Sequence, residues 1–277
     1  MKIAMSGSTG LIGSRIQELL YRDCEFVPLL QSSVDIADKE QVKKFIDQSD
    51  FDIFLHLAAY TDVNGAEKNK DLAKKVNVTA TENLLSEVTA KGKQMIYIST
   101  DFVFDGTKPP YTEESKPNPL GYYAQTKYEG EQIMKEKGMI VRLSYPYRAF
   151  FEPKKDFVNA LKAHMEKGTD LYMVSDMSFT PTFIDDIAFG LKHLFAHFSP
   201  EIYHLVGSST LSPYDSAMLI AKTFNLDTSH IHETTYDEYF KDKAPRPRYS
   251  EIKSIKNNFY EMTPFEEGLT IISSGNK

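Results

Sequence analysis

No tryptophan occurs among the 277 residues, and cysteine occurs once, at Cys24. A single thiol cannot form an internal disulfide, so a reducing compartment is expected. Positive charge is not in excess: 32 Lys and Arg stand against 39 Asp and Glu, for a formal net charge of -7. The chain therefore lacks the basic footprint of a nucleic-acid binder, and any anionic ligand must be held by local donors. The longest apolar run, Phe51–Tyr60, is broken by Asp52 and His56. It is far too short for the roughly 20 residues that span a bilayer. Met1 leads through Lys2-Ile3-Ala4-Met5 directly into a glycine loop, which leaves no room for a cleaved leader. These absences predict a cytoplasmic protein with neither a membrane nor a nucleic-acid partner. Repeats and low-complexity tracts are absent as well.

What is present alternates. Short apolar runs bounded by turn or polar residues predict strands at Lys2–Met5, Glu25–Leu30, Asp52–Leu57, Gln94–Ser99 and Met139–Leu143. Between them, helical spacing predicts Leu11–Tyr21, Lys39–Asp47, Asp71–Ala90 and Tyr122–Lys137. Strict strand–helix alternation implies right-handed crossovers and an α/β fold built on a Rossmann-type, doubly wound parallel sheet. The second half is less regular. Helices are expected over Asp156–Lys167, from about Asp186 to Phe198 with Asp185 as cap, and over Pro213–Phe224 behind a Ser212 cap. Short strands are expected at Thr182–Ile184 and Ile202–Val206. We expect a cofactor domain over residues 1–150. Residues 151–277 would form mainly a smaller substrate-binding lobe, with segments such as Ile202–Val206 returning to the sheet.

Gly7-Ser8-Thr9-Gly10-Leu11-Ile12-Gly13 lies between the first strand and the first helix. Glycine permits the tight turn and the close approach of backbone to a pyrophosphate at a helix N-terminus. The pattern alone is weak, since a plain glycine turn has the same spelling; its position strengthens it. The second strand ends in Gln31-Ser32-Ser33, with neither an acid for a ribose diol nor a base for a 2′-phosphate, so NAD and NADP stay open. Arg15 could approach such a phosphate, but a solvated helix position is the plainer reading. Asp35-Ile36 could meet the adenine.

Tyr123 and Lys127 stand four apart and share a helix face. An ammonium near a phenol stabilises the phenolate and lowers its pKa from about 10, making the phenol usable as an acid or base. Tyr122, five positions from Lys127, belongs to another face. Ser99-Thr100-Asp101 ends the fourth strand, on the edge where parallel sheets bind ligands, and a hydroxyl there can donate to a carbonyl oxygen as charge develops. Each part alone is common. The glycine loop, the strand-end hydroxyl and Tyr-x-x-x-Lys in that order are much more specific.

With these motifs the chain resembles the extended short-chain dehydrogenase/reductase superfamily, and within it the dTDP-4-dehydrorhamnose reductase family. Further segments carrying the resemblance are Ala58-Ala59-Tyr60-Thr61-Asp62-Val63, Asn77-Val78, Ser99 through Gly106, Pro119-Leu120, Pro181-Thr182, Asp186 and Arg246-Pro247. The match is dense to about residue 145 and thin afterwards. It implies a catalytic triad of Thr100, Tyr123 and Lys127. It implies a reduced nicotinamide cofactor, lined by Gly7, Gly10, Leu11, Ile12, Gly13, Asp35, Ile36, Ala58, Ala59, Tyr60 and Ser99 together with Tyr123 and Lys127. Thr100, Asp101 and Tyr145 would touch a nucleotide-sugar substrate. The family often has Trp where Tyr145 stands and a Tyr-Gly pair shortly after; this chain reads Tyr145-Pro146-Tyr147-Arg148. Those departures lie on the substrate side. A homodimer is left open.

Other signals are discounted. His193 and His197 lack a third ligand, so no metal site is expected. His230 and His232 converge on nothing evident in sequence, and His56 should pack. Glu113-Glu114 reads as a solvated loop. For Arg246 and Arg248, a diphosphate-binding role and a rigid proline-rich loop are equal readings. Dehydratases of the superfamily place Asp-Glu after the catalytic Thr, whereas Phe102 follows Asp101 here. Epimerase-reductases use an additional cysteine, and Cys24 lies far from the expected site. A non-enzymatic reading also stands, because some relatives are regulatory subunits, such as the one that binds methionine adenosyltransferase.

Overall fold

Six parallel strands form the centre of the computed structural model, which describes residues 1–275. The chain runs β1 (Lys2–Ser6), α1 (Leu11–Leu20), β2 (Glu25–Leu29), α2 (Lys39–Gln48), β3 (Ile53–His56), α3 (Val63–Lys68), α4 (Lys70–Lys74), α5 (Ala80–Ala90) and β4 (Gln94–Thr100). It continues through α6 (Tyr122–Met134), β5 (Met139–Leu143), β6 (Pro146–Tyr147), α7 (Phe157–Met165), β7 (Leu171–Val174), β8 (Thr182–Phe183) and α8 (Ile184–Ala196). The last elements are β9 (Ile202–His204), α9 (Pro213–Phe224), β10 (Ile231–Thr234), α10 (Tyr236–Phe240) and α11 (Phe265–Ser273). The main sheet has the order β2-β1-β3-β4-β5-β9, and every neighbouring pair is parallel. Chain direction reverses its progress between β1 and β3, the switch point where doubly wound sheets bind ligands.

Strand side chains alternate between two buried faces. Ile3, Met5, Ile53, Leu55, Ile96 and Ile98 pack on α1 and α8 through Ile16, Leu20, Ile187 and Leu191. Ala4, Phe54, Met95 and Tyr97 pack the other way, on Val42, Ile46, Leu84 and Met134 of α2, α5 and α6. A third cluster holds the later elements together, with Tyr147, Val158, Phe183, Ile220, Phe265 and Leu269 at its heart. Two small sheets, β7 with β10 and β6 with β8, flank it.

Three sequence expectations need correction. The helix expected over Asp71–Ala90 is not continuous: α4 passes through a π turn at Lys75–Thr79 before α5 begins. Asp185 is not a cap. Phe183 occupies the cap position of α8, and Asp185 sits in the first turn, where it takes a two-pronged contact from Arg15 (Nε–Oδ1 2.7 Å, Nη2–Oδ2 2.7 Å). Arg15 is accordingly buried rather than solvated. Its charge joins α1 to α8, and burial beside a matched carboxylate accounts for the geometry. Ser212 does cap α9, accepting from the Asp215 N–H at 3.0 Å.

Candidate active site

The glycine loop turns because Gly7 adopts φ +73°, and a Cβ there would stand 2.8 Å from the Ala58 backbone nitrogen. That close approach brings the end of β1 against the turn leaving β3. A Cβ at Gly13 would lie 2.3 Å from the Gly7 carbonyl oxygen, so α1 seats directly on the loop. Gly10 differs: its Cβ would meet only the Gly7 oxygen, at 3.2 Å, and the rest of its surroundings are open. Gly10 caps α1 without a side-chain hydrogen bond. The first N–H groups of the helix thus have no side-chain cap, and such a helix start suits an anion. Ser99 Oγ, at the end of β4, is buried with no hydrogen-bond partner among the described residues. An uncapped helix start and an unfilled hydroxyl on one sheet edge fit a dinucleotide cofactor.

The walls of this edge are braced from behind. Asn77, in the π turn, accepts from the Tyr60 N–H (2.8 Å) and donates to the Tyr60 carbonyl (3.2 Å) and to Thr126 Oγ1 (3.0 Å). It therefore ties the turn after β3 to α6. The motif comparison included Asn77 without a role, because only the π turn brings its side chain to both partners. His56 packs as expected, between Ser6 Oγ (2.7 Å) and Thr81 Oγ1 (3.1 Å). Asp35 pairs with Lys75 at 2.9 Å, which holds its carboxyl below the usual range, and the Ile36 carbonyl accepts from Asn83. Arg15 is committed to Asp185 and Glu18.

Helix α6 delivers Tyr123 and Lys127. Tyr122 N–H donates to Glu67 at 2.7 Å, and the Tyr122 ring lies under Lys70, outside the buried face. Tyr123 is buried against Ala66 and Ala73 and meets Phe102 edge to face at 5.8 Å. Burial pushes the Tyr123 phenol up; the Thr100 hydroxyl pulls it back, and the Asp101 charge adds to the rise. Lys127 donates to the Ile98 carbonyl at 2.7 Å and stands 4.0 Å from the Tyr97 ring centre. Its amine is pushed down to about 7 by burial, against the pull of Glu131. Desolvation therefore dominates both groups here. Asp101 is buried, accepting from Thr100 Oγ1 (3.1 Å) and Ser144 Oγ (3.0 Å), and burial lifts it to about 6.

A narrow crevice with no room for a water molecule adjoins these groups, bounded by Val63, Phe102, Gly121, Tyr123, Pro245 and Arg246 among others. Phe102, standing where a dehydratase needs Glu, forms an apolar wall with Tyr145, ring centres 6.0 Å apart. Tyr145 holds φ +39°, unusual for an aromatic residue, and also packs on Phe179 at 4.5 Å. The structure separates the two arginines that sequence left equal. Arg248 pairs with Asp176, whereas Arg246 contacts the Ala244 carbonyl, Asn64 Oδ1 and the Phe240 ring, with no carboxylate partner among the described residues.

Glu113 corrects another expectation. It is buried, accepting from the backbone N–H groups of His204 (3.0 Å) and Ile255 (2.9 Å) and from Ser254. It borders a larger hollow of about 390 Å³ with Glu131 and Arg142, which does not touch Tyr123 or the glycine loop. Glu131 and Arg142 are themselves paired at 2.7 Å. His193 stacks on His197 and Phe259, and His230 and His232 both face Asp170. Among the described residues no group of three metal-ligating side chains is arranged to hold an ion, and no helix is long and apolar enough to cross a membrane.

Known proteins of similar sequence differ in their names. The spore coat polysaccharide biosynthesis protein SpsK of Bacillus subtilis (strain 168) is 31% identical over 254 residues, covering 90% of this chain and 88% of the relative. Methionine adenosyltransferase 2 subunit beta of Mus musculus is 28% identical over 287 residues, covering 97% and 86%. Among solved structures, dTDP-4-dehydrorhamnose reductase from Bacillus anthracis str. Ames, in complex with NADP, superposes with a TM-score of 0.90 at 28% identity over 99% of both chains. The family model described as the RmlD substrate binding domain matches residues 1–272, and the chain belongs to that family.

Proposed function

We propose that this chain is an NAD(P)H-dependent reductase of a nucleotide-linked keto-deoxysugar, similar to dTDP-4-dehydrorhamnose reductase and acting in the cytoplasm. The observation that carries the reading is the burial of Thr100, Asp101, Tyr123 and Lys127 together, on the sheet edge that also carries the open glycine loop. In this reading residues 1–150 hold the cofactor and the later elements mainly hold the sugar. Gly7, Gly10, Leu11, Ile12 and Gly13 would cradle the pyrophosphate. Asp35 and Ile36 would border the adenine, and Ala58, Ala59, Tyr60 and Ser99 the remaining length of the cofactor.

A reduced nicotinamide supplies the hydride. The chain's own residues manage the proton. Because burial raises the Tyr123 phenol, the group is fully protonated at neutral pH and can donate to the carbonyl oxygen of the substrate. Thr100 Oγ1, turning its single proton away from Asp101, would donate to the same oxygen and steady its charge. A phenolate left in so apolar a place needs a cation, and Lys127, one helical turn away, provides it; the new negative charge draws the Lys127 pKa back up from about 7. Asp101 and Tyr145 would orient the sugar, and Arg246 would meet the anionic diphosphate. Phe102 offers no carboxylate for elimination, which favours reduction over dehydration.

Purified protein should oxidise NADH or NADPH stoichiometrically with a dTDP-linked 4-keto-6-deoxysugar. Similarity to methionine adenosyltransferase 2 subunit beta over 97% of the chain favours a second reading, that of a cofactor-binding subunit. Tight nicotinamide binding without keto-sugar turnover, together with co-purification of a methionine adenosyltransferase, selects that reading. Binding of neither NADH nor NADPH by calorimetry would remove both.

A further inference from the structure

Arg148 follows Tyr147 where the family pattern has glycine, and no step above uses it. The residue is only 4% exposed. The guanidinium reaches from the turn after β6 to the first turns of α1. It donates from Nη1 to Ser14 Oγ (3.0 Å) and the Leu11 carbonyl (3.4 Å), and from Nη2 to Glu18 Oε2 (2.6 Å). Its backbone is fixed as well, with the N–H donating to Asp156 at 3.2 Å and the carbonyl accepting from Asn159 at 3.0 Å. Six residues on, Lys154 Nζ reaches Thr61 Oγ1 at 3.3 Å, next to the Ala58–Tyr60 turn. The segment between them makes few anchoring contacts, and Phe150 is 66% exposed. One end of this segment is therefore tied to the wall formed by α1 and the other to the wall formed by the turn after β3. In the nicotinamide reading proposed above, the cofactor seat lies between those walls.

We propose that residues 148–155 form a strap across the cofactor cleft and that Arg148 is its latch, a positioning residue through which the substrate lobe controls nicotinamide exchange. The proposal rests on the nicotinamide reading of the glycine loop. A second feature points the same way: Arg148 Nε is buried without a partner among the described residues. Buried donors are ordinarily filled, and this one is closed off, with the Phe151 ring 5.0 Å from the guanidinium carbon, so it meets an anion's oxygen only when the strap shifts. Arg148 and Arg15 share Glu18, so the latch charge is already balanced in part. Opening the strap must break the donations to Ser14, Leu11 and Glu18 together.

The test uses Arg148→Met, which keeps the aliphatic stem and removes the donors, with Arg148→Lys as the conservative variant. Thr61→Val loosens only the far end, at an exposed position. Two rates are measured: NADPH release by stopped-flow displacement, and trypsin cleavage after Lys154 or Lys155 in protein without nucleotide. Arg148→Met should speed both by roughly tenfold or more, the scale of one lost hydrogen bond to a charged group. Arg148→Lys should recover part of the loss, and Thr61→Val should show a smaller acceleration. Unchanged release and unchanged cleavage in Arg148→Met, whatever its melting temperature, overturn the latch; if that variant does not fold, unchanged rates in Arg148→Lys and Thr61→Val do so. If the wild type binds no nicotinamide, the functional reading fails, and cleavage alone decides the strap: faster cutting supports it and unchanged cutting overturns it.

Discussion

Tyr122 and Tyr123 are adjacent in the chain and share one apolar cluster but differ in burial. The first ring meets Lys70 near the surface, and the second is buried against Phe102 beside Thr100. Tyr123→Phe should cost turnover roughly a hundredfold or more, the scale of a lost general acid, while leaving cofactor affinity nearly intact. Tyr122→Phe should change neither. Steady-state rates with separate nucleotide titrations check this, and full activity in Tyr123→Phe would end the assignment. Asp101 gives a different signature. Its folded pKa is raised to about 6 by burial. Such a group stabilises the fold fully below the ordinary carboxylate pKa, and that contribution is lost as pH rises toward about 6. A shift of about two units corresponds to about 3 kcal/mol at most, order of magnitude only. Asp101→Asn should therefore flatten the pH dependence of urea unfolding between about pH 4 and pH 6, and should be no less stable than wild type at pH 8. An unchanged slope in that window would show that Asp101 titrates normally.

At the scale of elements, the glycine loop, the β4 end and the start of α6 were legible because each is local: turn chemistry or helical spacing within a few residues. The break in the Asp71–Ala90 helix was not. Its apolar residues keep near-helical spacing on either side of Lys75–Thr79, so periodicity alone reads straight through a single inserted residue. The signal present was Asn77 itself, a poor helix-interior residue in the middle of the segment. Its three hydrogen bonds to Tyr60 and Thr126 explain why the turn persists. Asn77→Ala strands the Tyr60 N–H and should cost about 1–3 kcal/mol in chemical unfolding. It should also weaken nicotinamide binding, because the Ala58–Tyr60 turn loses its brace. Lost stability with unchanged cofactor affinity would make the π turn purely architectural.

Across the whole molecule, the elements that sequence reasoning placed well are those buried on both faces of the main sheet, whose composition alone marks them. The long-range partners of charged side chains were invisible. Arg15 finds Asp185 and Glu113 finds His204 and Ile255 across much of the chain, so each read as solvated when only neighbours could be considered. The later elements suffered most: β8 was expected at Thr182–Ile184, but β6 has only two residues and carries no periodicity. Yet Arg15 and Arg148 join α1, the helix whose start would hold the cofactor, to α8 and to the β6–α7 turn. Occupying that helix start should therefore stabilise the molecule as a unit. A ligand at about a hundred times its Kd adds about 2.7 kcal/mol, and a chain of this size gains roughly 2–4 °C per kcal/mol, so saturating NADPH should raise the melting temperature by roughly 5–10 °C. Gly10→Asp places a carboxylate where the anion would sit and should abolish the rise while leaving the unliganded transition single. A calorimetric scan of both proteins, with and without nucleotide, decides the point. A rise that survives Gly10→Asp would put the nucleotide somewhere other than the glycine loop.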